Sequence, residues 1–213
     1  GKWLIHLENS TPYDALGGIG ASFKNLNYFA NKELIVTDGP PTMKYHHSVV
    51  THSPTMLGSN CEALGKIPST LQNKSAEGKC VISKVVQIIN NLKNKGVFDN
   101  TMIIIAADHG SQFKPNSSYK LIPYDRATPT LLIKPLKSNI PFQISNAPVQ
   151  LSDIPKTIAA EFNIPEISYP GIDLLSDNKL KDRTRIFNYY LALLLCAFFC
   201  LLIILTYQPY QSD

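Results

Sequence analysis

Two short runs of apolar residues are the clearest strand signals along the chain. Residues 101–107 read TMIIIAA, and residues 128–135, TPTLLIKP, carry a similar run. A continuous apolar run of strand length is typical of a strand that is buried on both faces, as in a parallel sheet. We therefore predict two central strands, of which the first ends directly before Asp108, His109 and Gly110.

Helical spacing of apolar residues marks two further segments. Residues 76–96 carry an apolar stripe at helical spacing and close in lysines and a glycine, which predicts a helix. Residues 151–164 predict a second helix that starts near a Ser152 cap, with Pro155 in its first turn. Residues 43–54 are rich in strand-forming residues and end at a proline. This order of elements predicts an α/β fold with a mostly parallel central sheet.

The C-terminal part of the chain is its most apolar part. No charged residue occurs over 186–212, and the centre of this stretch, residues 191–205, reads LALLLCAFFCLLIIL. With its flanking tyrosines the stretch reaches about 20 residues, enough for a helix to cross a bilayer. We predict a transmembrane helix over 187–207, after an α/β domain over 1–180. A buried core helix is the alternative.

Charge excludes one class of partner and gives a weak indication of orientation. The net charge is +4 over 213 residues, and the basic residues are scattered rather than arranged in a stripe with aromatic residues. The sequence therefore predicts no nucleic-acid partner. Four basic residues within 179–185 precede the apolar stretch. The positive-inside bias would place the preceding domain in the cytosol, although that bias is weak for long domains.

The four cysteines fall into two pairs, and neither pair has the C-x-x-C spacing of a zinc or redox site. Cys61 and Cys80 lie nineteen residues apart in polar sequence. A disulfide and two free thiols are both open for this pair on the residues alone. Cys196 and Cys200 lie inside the C-terminal apolar stretch.

Asp108 and His109 are the first candidates for chemistry, because functional groups of open α/β sheets gather beyond the carboxyl ends of the strands. A carboxylate beside an imidazole supplies oxygen and nitrogen ligands for a divalent metal. Gly110 permits a tight turn after them. The alternative is that the aspartate caps the strand end and that the histidine is an ordinary turn residue.

Three histidines follow one another in the segment YHHSVVTHSP. His46 and His52 share one face of a strand, and His47 lies on the other. His52 comes last, close to Pro54, and is the best placed of the three to reach the same sheet edge as Asp108. A surface or core histidine without a role in a site is the alternative reading.

Taken in order, several segments resemble one known family. GVFDNTMIIIAADHG, RATPTLLIKPL, LSDIPKTIAAEFNIP and YPGIDLL resemble the C-terminal half of the catalytic domain in the sulfatase-like branch of the alkaline phosphatase superfamily. MKYHHSVVTHSPTMLGSNC resembles the H-x-x-x-T-H-x-P region of its membrane-anchored members, the phosphoethanolamine transferases and lipoteichoic acid synthases. The resemblance covers roughly residues 40–176.

The resemblance implies a fold, a cofactor and roles for three residues. The fold is an α/β sandwich with a mostly parallel sheet, present here in part. Asp108 and His109 match the family's Asp-His metal ligands, and His52 matches a histidine that lines the substrate site. One divalent ion (Zn, Mn, Mg or Ca) is implied. The activity is that of a metal-dependent hydrolase or transferase on phosphate or sulfate esters, through a covalent ester intermediate.

The family's nucleophile and first metal acid lie upstream of every motif matched here, so the resemblance assigns no catalytic residue in this chain. We therefore expect an incomplete domain that is inactive alone. The alternative is a non-catalytic, membrane-anchored remnant or pseudoenzyme of the same fold. A phosphomutase-like relative in the same superfamily fits the membrane stretch and the motif around His52 less well.

The membrane-anchored relatives also imply a place for the chain. They work outside the cytosol, so we expect membrane localisation with the soluble domain outside the cytosol. Such a compartment favours a Cys61–Cys80 disulfide. The implied partners are the membrane and a phosphate- or sulfate-ester substrate, with a lipid-linked ester as one option.

Overall fold

The computed structural model describes residues 11–110, 129–165, 170–176 and 200–206. These residues fall into two compact units. The first unit contains residues 11–35 and 47–94, and the second contains the remaining described residues.

The first unit is built from two helices and a hairpin. A short 3-10 helix (Asp14–Leu16) leads into α1 (Gly17–Asn31), which packs against α2 (Leu71–Asn94). The hairpin consists of β2 (Thr55–Leu57) and β3 (Ala63–Ile67), which pair antiparallel. Burial of one face of each helix stabilises the unit. Its core residues are Leu16, Ile19, Phe23, Val50, Met56, Leu57, Cys61 and Cys80.

The predicted helix over 76–96 is confirmed by α2, but α2 begins at Leu71, five residues earlier. The hydroxyl of Thr70 accepts a hydrogen bond from the Asn73 amide at 3.2 Å. A threonine before the first turn stabilises a helix start in this way, because the first amides of a helix lack intrahelical acceptors. The polar first turn has no apolar stripe, which is why periodicity placed the start too late.

The second unit is organised around a four-stranded sheet. Its strand order is β1-β6-β4-β5, where β1 is Thr42–Ser48, β4 is Thr101–Ala107, β5 is Leu131–Lys134 and β6 is Cys200–Thr206. The predicted strand over 101–107 is confirmed by β4, and the predicted strand over 128–135 contains β5. Strand β4 lies inside the sheet and is almost entirely buried.

The predicted direction of the strands is wrong for the pairs that the structure describes. Strand β4 pairs antiparallel with β5, with Ile104 opposite Ile133, and antiparallel with β6, with Ile104 opposite Ile203. The apolar run of β4 correctly predicts burial, but burial on both faces does not require parallel neighbours. An antiparallel sheet covered on both faces produces the same pattern. The mixed helix-and-strand class holds, and a mostly parallel sheet is not observed among these pairs.

The predicted transmembrane helix over 187–207 is wrong where the structure describes it. Residues 200–206 form β6, which pairs with β4 from Thr101 opposite Thr206 to Ala107 opposite Cys200. An apolar run fits a span or a buried strand equally well, and here strand pairing decides. No helix among the described residues has the length and apolar character to cross a membrane. The rest of the predicted span lies outside the described residues.

The predicted helix over 151–164 is present in two parts. A 3-10 turn, Leu151–Asp153, leads into α3 (Ile154–Glu161), with Pro155 in its first turn as predicted. The cap is formed by Gln150 and Asp153 rather than by Ser152: the buried Asp153 carboxylate accepts the Gln150 amide at 2.7 Å. Helix α3 contributes Ile154 to the core around Met102, Ile104 and Ala106 of β4.

Candidate functional site

Asp108 and His109 follow the last residue of β4, as the sequence predicts. The sheet still holds the chain at this point, because the Ala107 amide donates to the Thr130 carbonyl at 2.9 Å. Their side chains are partly exposed, at 34% for Asp108 and 30% for His109, although the Nε2 atom of His109 is itself buried. The sheet therefore fixes the backbone that carries the two residues, and both side chains are only partly exposed.

Local hydrogen bonds orient both side chains. The His109 amide donates to Oδ1 of Asp108 at 3.0 Å, and Nδ1 of His109 lies 2.7 Å from the Gly110 carbonyl oxygen. A carbonyl oxygen only accepts, so the ring proton is on Nδ1 and the lone pair of a neutral imidazole is on Nε2. A backbone acceptor on one ring nitrogen is the usual way in which a metal-binding histidine is oriented.

The two candidate ligand atoms lie close to the separation that one metal ion requires. Nε2 of His109 is 3.9 Å from Oδ1 of Asp108. Two ligands bound at about 2.1 Å in a tetrahedral site are about 3.4 Å apart. Binding of one ion by both atoms would therefore require them to approach each other by about 0.5 Å. Among the described residues there is no group of three or more His, Cys, Asp or Glu that could hold a metal.

His52 lies further from a strand end than the sequence predicts. Strand β1 stops at Ser48, and His52 lies in the turn that leads to β2. Its amide donates to the Val49 carbonyl at 3.0 Å, and its Nδ1 donates to the Ser53 carbonyl at 2.5 Å. The ring is partly buried. Backbone contacts thus orient the imidazole of His52 much as they orient that of His109.

His52 and the Asp108–His109 pair belong to different units. His52 is part of the first unit, whereas Asp108 and His109 are part of the second. The two predicted metal ligands, Asp108 and His109, therefore lie together in the second unit. The predicted substrate-binding residue, His52, lies in the first unit.

A buried ion pair under the turn of His52 is a feature that the sequence analysis missed. Glu77 of α2 has no exposed surface, and its Oε1 accepts the amides of Met56 at 2.8 Å and Leu57 at 3.3 Å. Its Oε2 lies 2.7 Å from Nζ of Lys74. Because a buried carboxylate requires both a counter-charge and hydrogen bonds, this arrangement satisfies Glu77 fully.

Lys74 joins this ion pair to the turn itself. Its ammonium donates to the Thr51 carbonyl at 3.1 Å and to the His52 carbonyl at 2.7 Å, besides Glu77. An ammonium has three donors, so all three have acceptors inside the unit. In the sequence, Lys74 lies two residues before the predicted helix over 76–96, so no predicted helix face indicated the pair.

Cys61 and Cys80 form a disulfide, with their Cα atoms 5.0 Å apart. This outcome decides between the two alternatives that the residues alone left open. Cys80 lies three residues after Glu77 on α2, and Cys61 lies in the loop between β2 and β3. The disulfide and the carboxylate of Glu77 therefore attach the same hairpin to the same helix.

Comparison with known proteins identified no relative of this chain. No family model matches the chain, and neither a curated protein nor a solved structure matches it.

Proposed function

We propose that this chain contributes to a metal-dependent hydrolase or transferase that acts on phosphate or sulfate esters. The observation that carries the proposal is the Asp108–His109 pair after β4, in which Nε2 of His109 lies 3.9 Å from Oδ1 of Asp108 and Nδ1 lies 2.7 Å from the Gly110 carbonyl oxygen. The ordered motifs that resemble the sulfatase-like branch of the alkaline phosphatase superfamily support the same reading, and the proposed family fold rests on them.

The pair would hold one divalent ion. A carboxylate with an imidazole suits Zn or Mn better than Mg or Ca, which prefer ligand sets made of oxygen atoms. When bound, such an ion polarises the ester and stabilises the charge on its oxygens. Asp108 would supply an anionic ligand whose Oδ1 accepts a hydrogen bond from the His109 amide, and His109 would bind through Nε2, because its Nδ1–H donates to the Gly110 carbonyl.

His52 would contact the phosphate or sulfate group of the ester. With Nδ1 donating to the Ser53 carbonyl, the second ring nitrogen is the one that a substrate oxygen would meet. When the His52 ring is an imidazolium, its Nε2–H can donate to the anion, and the contact is then a charge-assisted hydrogen bond. A lipid-linked ester is one option for the substrate.

The disulfide supports a place outside the cytosol. Disulfides persist in oxidising compartments and are rare in the reducing cytosol. The Cys61–Cys80 bond therefore supports an extracytoplasmic first unit. The resemblance to membrane-anchored enzymes adds the proposal that the substrate is met at a membrane surface.

A thermal-shift experiment tests the metal site. A ligand that binds only the folded chain stabilises it by about 2.7 kcal/mol at a hundredfold excess over Kd, which for a chain of this size corresponds to a Tm rise of about 5 °C or more. We expect Zn²⁺ or Mn²⁺ to produce this rise in the parent and in Asp38→Asn, a control at an exposed aspartate of the same unit. Asp108→Ala and His109→Ala should each abolish it. An unchanged Tm in the parent would rule out the site.

An activity measurement separates the enzyme from its alternative, a non-catalytic remnant of the same fold. The full chain with metal is incubated with a chromogenic phosphodiester and a chromogenic sulfate ester. Turnover that Asp108→Ala abolishes would establish catalysis by this chain. Metal binding without turnover, which we expect of the chain by itself, would fit either an enzyme part or the remnant. Addition in trans of a segment that carries the family's nucleophile and first metal acid then distinguishes them, because only the enzyme part would gain activity.

A further inference from the structure

The turn that carries His52 is stabilised by hydrogen bonds to two charged side chains of α2, in addition to apolar packing. Lys74 donates to the carbonyls of both Thr51 and His52, and Glu77 accepts the amides of Met56 and Leu57 at the far end of the same turn. Lys74 and Glu77 also bind each other at 2.7 Å. One ion pair is therefore hydrogen-bonded to the backbone at His52 and again at Met56 and Leu57.

The Lys74–Glu77 ion pair is rigid enough to fix the position of the turn that carries His52. The side chain of Glu77 is fully buried and that of Lys74 is 12% exposed, so their interaction is screened little by solvent. Both residues lie on the long helix α2, which the disulfide at Cys80 further ties to the hairpin. Residues whose own side chains are locked by packing and hydrogen bonds hold a neighbouring functional group within a fraction of an ångström.

A direct role of Lys74 in binding an anion is disfavoured by the same geometry. Its three donors already have three acceptors, two carbonyls and a carboxylate. Turning the ammonium towards a substrate would leave Glu77 as a buried charge without its counter-ion, which costs several kcal/mol. Lys74 therefore acts through the backbone of His52.

We infer that the Lys74–Glu77 ion pair is the positioning element for His52, and that it sets the imidazole where it can donate to a phosphate or sulfate group. This inference rests on the substrate-binding role proposed for His52. Removing the ammonium releases the carbonyl of His52 itself, so the ring loses its fixed position even if the unit stays folded.

The test is an NMR titration of the full chain with inorganic sulfate in the presence of Zn²⁺, which follows the imidazole nitrogen resonances of His52. Sulfate serves as the probe because it has the geometry of the transferred group. In the parent we expect a saturable shift of the His52 Nε2 resonance. In Lys74→Met we expect the apparent sulfate affinity to fall by about tenfold or more, since a displacement of about 1 Å can cost a hundredfold at a functional group.

Two variants act as controls for this titration. Lys79→Met removes an exposed lysine from the same helix and should leave the sulfate response at the parent level. Lys74→Arg keeps the charge and the donors and should retain most of the affinity that Lys74→Met loses. Should Lys74→Met fail to fold, Glu77→Gln takes its place, because the amide oxygen still accepts from Met56 while the charge that holds Lys74 is gone.

Each outcome decides the matter. A parent without any response at His52 overturns both the substrate-binding role and the inference. A parent response that Lys74→Met, or its replacement, leaves unchanged overturns the inference alone. A loss of affinity in Lys74→Met with recovery in Lys74→Arg supports the inference, because general loosening of the fold would not depend on the charge at this one position.

Discussion

The ammonium of Lys134, at the end of β5, lies 3.0 Å from the carbonyl oxygen of Thr101, the first residue of β4. It also donates to the carbonyls of Phe98 at 2.7 Å and Asp99 at 3.1 Å, and it lies 4.6 Å from the centre of the Phe98 ring. Lys134 therefore fixes the start of the strand whose other end carries the candidate metal ligands.

Replacing Lys134 with Met should destabilise the second unit. The change removes three hydrogen bonds from the ammonium, of which those to Phe98 and Thr101 are partly buried. Each lost hydrogen bond to a charged group is worth about 1.5–3 kcal/mol before water replaces it. We expect a net loss of about 1–3 kcal/mol in the free energy of unfolding, measured by urea denaturation. Lys137→Met, which alters an exposed lysine of the same segment, is the matched control. Equal losses in the two variants would contradict the role of Lys134.

Burial lowers the pKa of Lys134 below its ordinary value of 10.5, and the charges of Asp99 and Glu161 partly offset this effect. A lysine whose pKa is lower in the folded state binds fewer protons there than in the unfolded state. The contribution of Lys134 to stability therefore rises with pH between the folded pKa and 10.5. The parent and Lys134→Met should therefore be compared at one fixed pH, because the stability contribution of Lys134 depends on pH.

Removal of the disulfide should weaken the first unit. The bond closes a loop between residues nineteen apart, and a loop of this size constrains the unfolded chain by about 3 kcal/mol. We expect the double variant of Cys61→Ser and Cys80→Ser to lose about that much stability in chemical denaturation. A reducing agent should lower the stability of the parent to the same level and leave the double variant unchanged. A reductant effect that persists in the double variant would assign the effect to other cysteines.

Asp14 predicts a specific acid sensitivity. Hydrogen bonds from Lys24 and from the Thr11 amide lower its pKa from 3.8 to about 2. The folded state holds the charged form more strongly than the unfolded state does, so the stabilisation is present above pH 3.8 and is lost as pH falls through about 2.

Denaturation of Asp14→Asn at a series of pH values tests this. The stability difference between the parent and Asp14→Asn should stay constant near neutral pH and should shrink towards zero as the pH falls below 3.8 to about 2. Asp38→Asn, at an exposed aspartate, should show no such change. A difference that stays constant down to pH 2 would contradict the assignment of the shift to Lys24 and Thr11.

Much of the secondary structure could be predicted from local pattern. The apolar run of β4 and the helical stripe of α2 are both found where periodicity places them, because burying one face or both faces of an element requires that spacing. The juxtaposition of Asp108 and His109 also follows from sequence, since neighbours after a strand end stay neighbours. The start of α2 was predicted too late, because a polar side chain, the hydroxyl of Thr70, caps the helix there.

The long-range features could not be predicted in the same way. Lys74 and Glu77 meet the turn of His52 across twenty or more residues of sequence, and no local pattern encodes which backbone groups a buried charge will find. The resemblance to a known family supplied roles for single residues, but it did not indicate what holds them in place.

The sequence by itself determined which segments must be buried and which residues could carry chemistry, because hydrophobicity and side-chain type are local properties. Tertiary structure alone decided the direction of the strands and the strand conformation of residues 200–206. Residues 200–206 satisfy their backbone groups by pairing along β4, and an isolated apolar segment has no means of specifying such a partner. The physical reason is that strand pairing is a property of two segments, whereas a hydrophobic pattern belongs to one.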